Sequence, residues 1–315
     1  MVNGETGMDE RRARVISQEK GSYRISSGAD MKAAAVSGKY RYEAVTVSDY
    51  PAVGDYVLAQ WPEDDAPAVI RSLFPRKSCF IRRAAGSAKQ EQVVAANIDT
   101  VFICMSLNQN YDLRRLERYL SIAYDSGAAP VVVLTKADLC RDVDSRVSEV
   151  RGAAPGVDIL AVSSLNGDLG AVTRYILPGR TVAFLGSSGV GRSTLINQLT
   201  GTHSLATGTV GAADKGRHTT THRELITLSN GAFLIDTPGM RELGLWDDGQ
   251  GLNRSFADID ALTSQCRFRS CTHTGEPGCA VKAALADGTL SPERWSSFQK
   301  LHAENRYTED TSAYM

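Results

Sequence analysis

No stretch of the sequence is long and apolar enough to form a membrane-spanning helix, which needs about 20 apolar residues. The longest uninterrupted apolar runs, VFICMSL from Val101 and AAPVVVLT from Ala128, have the length of buried strands. The N-terminal segment MVNGETGMDERRARV lacks the apolar core of a secretory signal peptide. From these absences we expect a cytoplasmic protein.

The chain also lacks an excess of either charge, since 35 lysines and arginines accompany 36 aspartates and glutamates. A formal net charge of -1 argues against a generally basic, nucleic-acid-coating surface, although binding depends more on how charges are distributed than on their sum. The 42% of hydrophobic and 23% of charged residues are typical of a globular protein, and 315 residues suit two or three domains.

Cysteine is scarce, and the six cysteines are unevenly spaced. Cys79, Cys104 and Cys140 are scattered through apolar stretches and are predicted to pack as small hydrophobic side chains. The other three lie close together, between Cys266 and Cys279. In a cytosolic protein such a cluster indicates a metal site more often than disulfides.

The first part of the chain suggests a tail followed by a small barrel. Residues 1–20 are polar and charged and are predicted to be a flexible tail. Residues 21–92 contain five strand-like segments separated by turn formers, which predicts an RNA-binding β-barrel of the OB-fold type; another small barrel or a sandwich is the alternative. The segments are YRISSG, KAAAVSG, YEAVTV, DYVLAQW and AVIRSLF.

Residues 93–248 change to apolar strands that alternate with helices, such as LRRLERYLSIAYDS, which ends at Gly127. This alternation predicts an α/β domain with a mainly parallel sheet covered on both faces. Residues 249–315 are polar and cysteine-rich and end in a predicted helix that starts at Ser291 and Pro292. The predicted fold class is therefore multidomain: a β-barrel, a central α/β domain and a small helical metal-binding domain.

A glycine-rich segment, GSSGVGRS, follows one predicted strand and precedes a helix. Its glycines let the backbone turn tightly, so that N–H groups and the helix N-terminus can bind phosphate. Ser193 is placed to bind Mg²⁺, but Arg192 replaces the lysine of the P-loop motif. We predict a nucleotide phosphate site; a glycine-rich turn that binds nothing is the alternative. The predicted site comprises Gly186, Ser187, Ser188, Gly189, Val190, Gly191, Arg192, Ser193 and Thr194.

Two motifs end other predicted buried strands. In IDTPG, Asp236 is placed to hold Mg²⁺ through water, and the N–H of Gly239 can contact a terminal phosphate. In TKAD, the Asp138 carboxylate can accept two hydrogen bonds that guanine donates and adenine does not. The rest of the predicted base site comprises Thr135, which replaces the usual asparagine, Lys136, whose stem would lie along the base, and the backbone of Ser163, Ser164 and Leu165.

The order of these motifs differs from that of an ordinary GTPase, in which the phosphate loop comes first. Here TKAD and SSL precede GSSGVGRS, and DTPG comes last. The sheet keeps its arrangement if its chain ends are rejoined elsewhere, so this order predicts a circularly permuted GTPase domain. The segment after DTPG, a nucleotide-sensing switch in ordinary GTPases, then leads directly into the cysteine-rich module.

With these motifs the sequence resembles the ribosome small-subunit-dependent GTPases, the RsgA/YjeQ family, over nearly the whole chain after residue 20. The resemblance also rests on VGDYV, NID, GRHTTT and the cysteine pattern, which begin at Val53, Asn97, Gly216 and Cys266. It implies an OB-fold, a permuted GTPase domain and a C-terminal zinc domain. It further implies GTP hydrolysis stimulated by the 30S subunit during late maturation, with 16S rRNA as a contact; we expect a monomer.

GRHTTT supplies the remaining candidates for catalysis. Thr220 is predicted to close over Mg²⁺, with Thr219 as the alternative and an ordinary surface loop as the competing interpretation. Met240 stands where many GTPases have a water-orienting glutamine, and a thioether cannot orient water. We therefore predict that His218 orients or deprotonates the attacking water, against the alternative of a structural histidine.

The cysteine cluster combines three thiols with one imidazole: Cys266, Cys271, His273 and Cys279. Four such ligands form a closed tetrahedral site, so we predict one structural Zn²⁺ per chain rather than a catalytic zinc; three reduced cysteines in a loop are the alternative. Within it, Arg267, Phe268 and Arg269 combine charge with a stacking surface that suits RNA.

A second basic group predicted to contact RNA comprises Arg71, Arg76, Lys77, Arg82 and Arg83; a solvated basic face is the alternative for both groups. The leading interpretation is an enzyme that hydrolyses GTP with Mg²⁺. The first alternative is a GTP-gated, ribosome-binding protein whose hydrolysis is weak or lost because of Arg192. The second is an OB-type RNA-binding protein with a vestigial domain, which the presence of Ser193, Asp236 and Asp138 disfavours.

Overall fold

A closed five-stranded barrel forms the N-terminal part of the computed structural model, which describes residues 9–19, 21–83, 91–163, 169–201, 224–236 and 250–313. Its strands are β1 (Asp9–Glu19), β2 (Ser22–Ser27), β3 (Asp30–Val36), β4 (Tyr56–Trp61) and β5 (Ala68–Leu73). They pair in the order β1-β2-β3-β5-β4, and β4 closes the barrel onto β1. The predicted barrel is therefore confirmed.

The predicted tail is wrong for residues 9–19, which form β1, the central strand of the barrel closure. Ala13 and Val15 point into the barrel core and are buried. Of the charged neighbours, Arg12 is exposed, whereas Arg14 is only 6% exposed. The sequence therefore did not predict this strand, because its apolar residues are few and stand among charged ones, although all of them are buried.

The segment YEAVTV was predicted to be a strand, and this prediction is also wrong. The chain instead forms helix α1 (Gly38–Glu43) and a 3₁₀ helix (Val47–Asp49). The Ser37 hydroxyl accepts a hydrogen bond from the Tyr40 N–H at 3.0 Å and caps α1. The Asp49 carboxylate accepts the N–H groups of Val45 and Thr46, at 2.9 and 2.7 Å. These local side-chain bonds replace the ladder bonds of a strand.

The central domain is built on a mainly parallel sheet, as predicted. Its strands are β8 (Thr100–Ser106), β9 (Ala129–Thr135), β10 (Asp158–Ala161), β11 (Thr181–Leu185), β12 (Glu224–Thr227) and β13 (Phe233–Asp236). They pair in the order β10-β9-β8-β11-β13-β12, and only β12 is antiparallel to its neighbour within this group. The helices are α2 (Leu113–Ser126), α3 (Val143–Ala153), α4 (Gly170–Thr173) and α5 (Arg192–Thr200). Separate apolar clusters cover the two faces of the sheet.

The barrel and the central domain meet at a tight joint. Strands β6 (Cys79–Arg83) and β7 (Glu91–Ala96) form a separate two-stranded sheet between them, and β1 pairs with β12 at Ser17 and Glu224. At the joint, the Asn97 side-chain amide donates to the Gly54 carbonyl oxygen at 3.1 Å. The VGDYV and NID motifs therefore contact each other across the joint.

The C-terminal module is helical, with α6 (Gln250–Ser255), α7 (Ala257–Ser264), α8 (Ala280–Asp287) and α9 (Pro292–Ala313). Phe256, Ile259 and Val281 lie at the centre of its own apolar core. A buried ion pair at 2.8 Å between Arg294 of α9 and Glu117 of α2 attaches the module to the central domain. No helix in the described part of the chain has the length and apolarity to span a membrane.

Candidate nucleotide site and metal centre

The motifs that were predicted to bind nucleotide follow the C-terminal ends of parallel strands. The glycine-rich loop follows β11, TKAD ends β9, and Ser163 lies just after β10, while Asp236 is the last residue of β13. Because these strands are parallel, their C-terminal ends lie along one edge of the sheet, where open α/β sheets bind ligands. The sheet therefore brings the motifs to one edge despite their permuted order in the sequence.

The phosphate loop is packed closely against β8. Gly186 has a φ of 151°, and a Cβ atom there would lie 2.6 Å from the Cys104 carbonyl oxygen. Only glycine fits at this position without moving the backbone. Ser188 and Gly189 are exposed at the top of the loop, whereas Val190 is buried beneath it. The loop then continues directly into α5, so the N–H groups of the first helical turn are available for an anion.

Two hydrogen bonds join TKAD to the phosphate loop. The buried Thr135 hydroxyl donates to the Val190 carbonyl oxygen, and the Lys136 ammonium donates to the Gly189 carbonyl oxygen at 2.8 Å. Lys136 itself has a φ of 57°, in the left-handed region, and precedes a short 3₁₀ helix after β9. Threonine in place of asparagine therefore still connects this motif to the loop.

The candidate base-recognising carboxylate lies on the exposed side of this junction. Asp138 accepts a hydrogen bond from the Ser163 hydroxyl at 2.5 Å. The N–H of Ala137 donates to the Val162 carbonyl at 3.1 Å, which holds the ends of β9 and β10 together. The structure thus brings together Asp138 and Ser163, which are distant in the sequence.

Arg192, the residue that departs from the P-loop motif, is only 5% exposed. Its Nη1 lies 3.5 Å from the Phe184 carbonyl oxygen, so the guanidinium is directed at β11. Burial raises the pKa of the Cys104 thiol to about 12, although the nearby Arg192 charge opposes this shift. The positive charge of Arg192 is thus held beneath the loop, between β11 and β8.

Several predicted residues lie outside the described residues: Ser164, Leu165, His218, Thr219, Thr220, Gly239 and Met240. For Asp236 the structure describes the backbone at the end of β13. The roles of these residues remain predictions from the sequence.

The four predicted metal ligands converge in the C-terminal module, where their ligand atoms all lie within 4.8 Å of one another. The Cys266 and Cys279 sulfurs are 4.0 Å apart, and the His273 Nδ1 lies 3.6 and 3.5 Å from them. Tetrahedral zinc with ordinary bond lengths requires S–S and S–N separations of about 3.8 and about 3.6 Å. The cluster therefore has the dimensions of a four-ligand zinc site.

The surroundings of the sulfurs favour the thiolate form at Cys266. Cys279 caps α8 and accepts the Lys282 N–H at 3.5 Å. Desolvation disfavours the Cys266 thiolate, but the backbone N–H groups of Ala280 and Val281 favour it, and the pKa of Cys266 lies below its ordinary value. A bound cation would add to this effect, since metal ions bind the deprotonated thiol.

One arginine of the two predicted basic groups is not available to RNA. Arg76 is not a surface contact: its side chain is 15% exposed and pairs with the fully buried Asp55 at 2.8 Å. It also donates to the Ser48 and Tyr50 carbonyls, so these N–H groups are already hydrogen-bonded within the barrel. In the C-terminal module, by contrast, the Phe268 ring is 43% exposed and lies 5.5 Å from the Arg267 guanidinium.

Comparisons with known proteins agree with this architecture. Residues 73–246 match the family model described as RsgA GTPase. A Lactiplantibacillus plantarum protein named small ribosomal subunit biogenesis GTPase RsgA 2 is 49% identical over 296 residues, which cover 93% of this chain and 83% of that protein. A protein from Opitutus terrae named small ribosomal subunit biogenesis GTPase RsgA is 45% identical over 306 residues, covering 94% and 83% of the two chains.

Solved structures show the same fold. YjeQ from Thermotoga maritima has a TM-score of 0.70 at 25% identity, covering 94% of this chain and 98% of its own. YloQ, described as a circularly permuted GTPase, has a TM-score of 0.68 at 24% identity, covering 98% and 99%. The predicted permuted arrangement is confirmed, and the chain belongs to the RsgA GTPase family.

Proposed function

We propose that this member of the RsgA GTPase family binds GTP and Mg²⁺, hydrolyses GTP to GDP and phosphate, and assists late maturation of the small (30S) ribosomal subunit. The observation that carries the proposal is the pair of hydrogen bonds from Thr135 and Lys136 to the phosphate loop. They join a guanine motif to a phosphate loop at one sheet edge. The names of the relatives support the ribosomal part.

The nucleotide roles follow from the position of each residue. Asp138, assisted by Ser163 and by the backbone of Ser164 and Leu165, recognises guanine. The backbone of the phosphate loop and α5 binds the phosphates, with Ser188 and Gly189 at the exposed top of the loop. Hydroxyl and carboxylate oxygens are suitable ligands for Mg²⁺, and Ser193, Thr220 and Asp236 would hold it. Mg²⁺ bound there would neutralise phosphate charge.

Hydrolysis proceeds by in-line attack of a water molecule on the terminal phosphate. His218 orients this water or accepts its proton, and the N–H of Gly239 contacts the phosphate. Stimulation by the 30S subunit fits a site whose water-orienting glutamine is replaced by Met240. The alternative, a GTP-gated ribosome-binding protein without effective hydrolysis, draws on Arg192, but the relatives are named GTPases and do not favour it.

The C-terminal module is proposed to hold one structural Zn²⁺ through Cys266, Cys271, His273 and Cys279. The exposed Phe268, with Arg267 and Arg269, would contact 16S rRNA, as would exposed Arg71 and Lys77 on the barrel side. A protein that matures ribosomal subunits works in the cytoplasm, and we propose that it acts there as a monomer.

Phosphate release from GTP, measured with and without purified small subunits, tests this function. We expect slow release by the protein alone and faster release with small subunits, whereas large subunits should have no effect. Binding of GDP and GTP but not ATP should accompany it. A protein that binds no guanine nucleotide would contradict the proposal, and binding without stimulated release would favour the gated-binder alternative.

A further inference from the structure

Helix α2 contacts both the phosphate loop and the C-terminal module. In its first turn, the Arg115 guanidinium donates to the Ser187 hydroxyl at 3.0 Å, and Ser187 is the second residue of the phosphate loop. Nearly two and nearly three turns later, Ser121 and Asp125 contact the module through Ser255 and the backbone of Gly251, at 3.1 and 2.5 Å. The helix therefore connects two regions that are far apart in the sequence.

The strongest contact with the module is buried. Glu117 accepts hydrogen bonds from Arg294 at 2.8 Å and from the Ser297 hydroxyl. The Glu117 and Arg294 side chains are 5% and 10% exposed. Arg294 also binds both oxygens of Asp258, at 2.7 Å each. A buried charge that loses its partner is strongly disfavoured, so this pair fixes α9 and α7 against α2.

At the other end, Arg115 is held in place before it reaches the loop. Asp112 caps α2 by accepting the Arg115 N–H at 3.1 Å, and its second oxygen accepts from the Arg115 guanidinium at 3.2 Å. The planar guanidinium thus has a defined direction toward Ser187. Since Gly186 already touches β8, the loop has little room to adjust, and a shift of α2 would be transmitted to Ser187.

We propose that Arg115 is a positioning residue for the phosphate loop. The Glu117–Arg294 pair links the C-terminal module to α2, and a change in the position of the module therefore shifts α2 and, through Arg115, the loop. For its effect on hydrolysis, the inference rests on the proposed function. Because coupling between two binding sites is reciprocal, a nucleotide bound in the loop then changes the affinity of the module for its ribosomal partner. This connection is separate from the switch segment that links DTPG to the module.

Hydrogen exchange in the full-length, nucleotide-free protein tests the connection without relying on GTP hydrolysis. We expect Arg115→Ala and Glu117→Gln each to speed amide exchange in residues 185–193 by about tenfold, since the first removes a charged hydrogen-bond donor and the second removes the negative charge of the buried pair with Arg294. Arg114→Ala is the matched control, because Arg114 is exposed on the same helical turn. If Glu117→Gln does not fold, Ser297→Ala removes one bond to the same carboxylate.

The double variant Arg115→Ala with Glu117→Gln should exchange no faster in this loop than Arg115→Ala alone, because the module acts through Arg115. Effects that multiply, or a loop unchanged by Glu117→Gln, would overturn the connection whether or not GTP is hydrolysed.

Single-turnover hydrolysis with small subunits gives the functional test. Arg115→Ala and Ser187→Ala should each lower the stimulated rate by about tenfold, and combining them should cause no further loss because they remove the same hydrogen bond. Arg115→Lys should recover part of the rate, since an ammonium can reach Ser187 but cannot also match the fork to Asp112. Equal rates for Arg115→Ala and Arg114→Ala would refute the positioning role.

Discussion

Replacing Gly54 by alanine is expected to loosen the joint between the barrel and the central domain. Gly54 has a φ of 90°, and a Cβ atom there would lie 2.2 Å from the Ala96 carbonyl oxygen and 3.1 Å from Cδ1 of Ile235. Its own N–H donates to Val15 of β1 at 2.9 Å, and its carbonyl accepts from Asn97. The new methyl group would meet the backbone of Ala96, whose own N–H is hydrogen-bonded to the Val53 carbonyl at 2.9 Å.

The expected loss of stability has two parts. A left-handed conformation costs a residue with a Cβ atom about 1–2 kcal/mol. Overpacking against neighbours that cannot move away costs about 1–3 kcal/mol, and here the closest neighbour is a backbone oxygen rather than a flexible side chain. Gly54→Ala should therefore destabilise the joint by about 2–5 kcal/mol, the sum of the two effects.

Two other glycines separate these contributions experimentally. Gly21 has a φ of 87° with open space around its Cβ position, so Gly21→Ala should show only the conformational cost. Gly152 lies in α3 with a helical backbone and open space, so Gly152→Ala should be neutral or slightly stabilising. Urea unfolding followed by circular dichroism compares the three, and hydrogen exchange in β1 and β7 locates the effect.

Unfolding of Gly54→Ala at the same urea concentration as Gly21→Ala would contradict this prediction, because the steric part would then be absent. Faster exchange throughout the chain rather than at the joint would contradict it as well.

Four further outcomes are expected. Asp138→Asn should weaken GTP binding and improve xanthosine triphosphate binding in a competition assay. Protein purified without added metal should contain one zinc per chain by metal analysis, and Cys271→Ser should lose it. Arg192→Lys should hydrolyse GTP faster in single-turnover assays, since the shorter ammonium fits a phosphate site that a planar guanidinium does not. Hydrogen bonds from Thr46 lower the pKa of Asp49, so NMR titration should find this pKa below the ordinary aspartate value. The ionised Asp49 carboxylate stabilises the fold fully above the pKa that Asp49 has in the unfolded chain, and this stabilisation is lost as the pH falls through its pKa in the folded protein.

The sequence predicted those elements whose signal is local. Continuous apolar runs identified β8, β9 and β11, and an amphipathic pattern with helical spacing identified α2 up to its end at Gly127. It failed for β1, where only three buried apolar residues lie among charged ones, and for α1, where capping by Ser37 decided the conformation. In both segments the conformation depends on strand pairing or on single side-chain hydrogen bonds more than on the composition of the segment.

The candidate site divides in the same way. The glycine-rich loop, TKAD and the four metal ligands were recognisable because each has a spacing dictated by its ligand. Arg115 and the Glu117–Arg294 pair carried no such signal, since each looks like an ordinary charge on a helix. Their partners are far away in the sequence, and only packing of α2 against the loop and the module brings them together. Arg76 is the opposite case: the sequence predicted an RNA contact at the surface, whereas the structure shows a largely buried partner of Asp55.

The permutation gives the two appended domains different relations to the nucleotide site. Strands β8 and β13 both pair with β11, the strand that carries the phosphate loop. The barrel joins the N-terminal end of β8, at the edge opposite the loop, where Asp99 holds the Thr181 N–H at 2.8 Å. The chain toward the C-terminal module instead continues from the C-terminal end of β13, at the sheet edge that carries the phosphate loop. Under the proposed function, hydrolysis would act at the edge from which the chain continues toward the module. The barrel is not confined to the opposite edge, because β1 pairs with Glu224 of β12, and Glu224 lies opposite Asp236 at the end of β13.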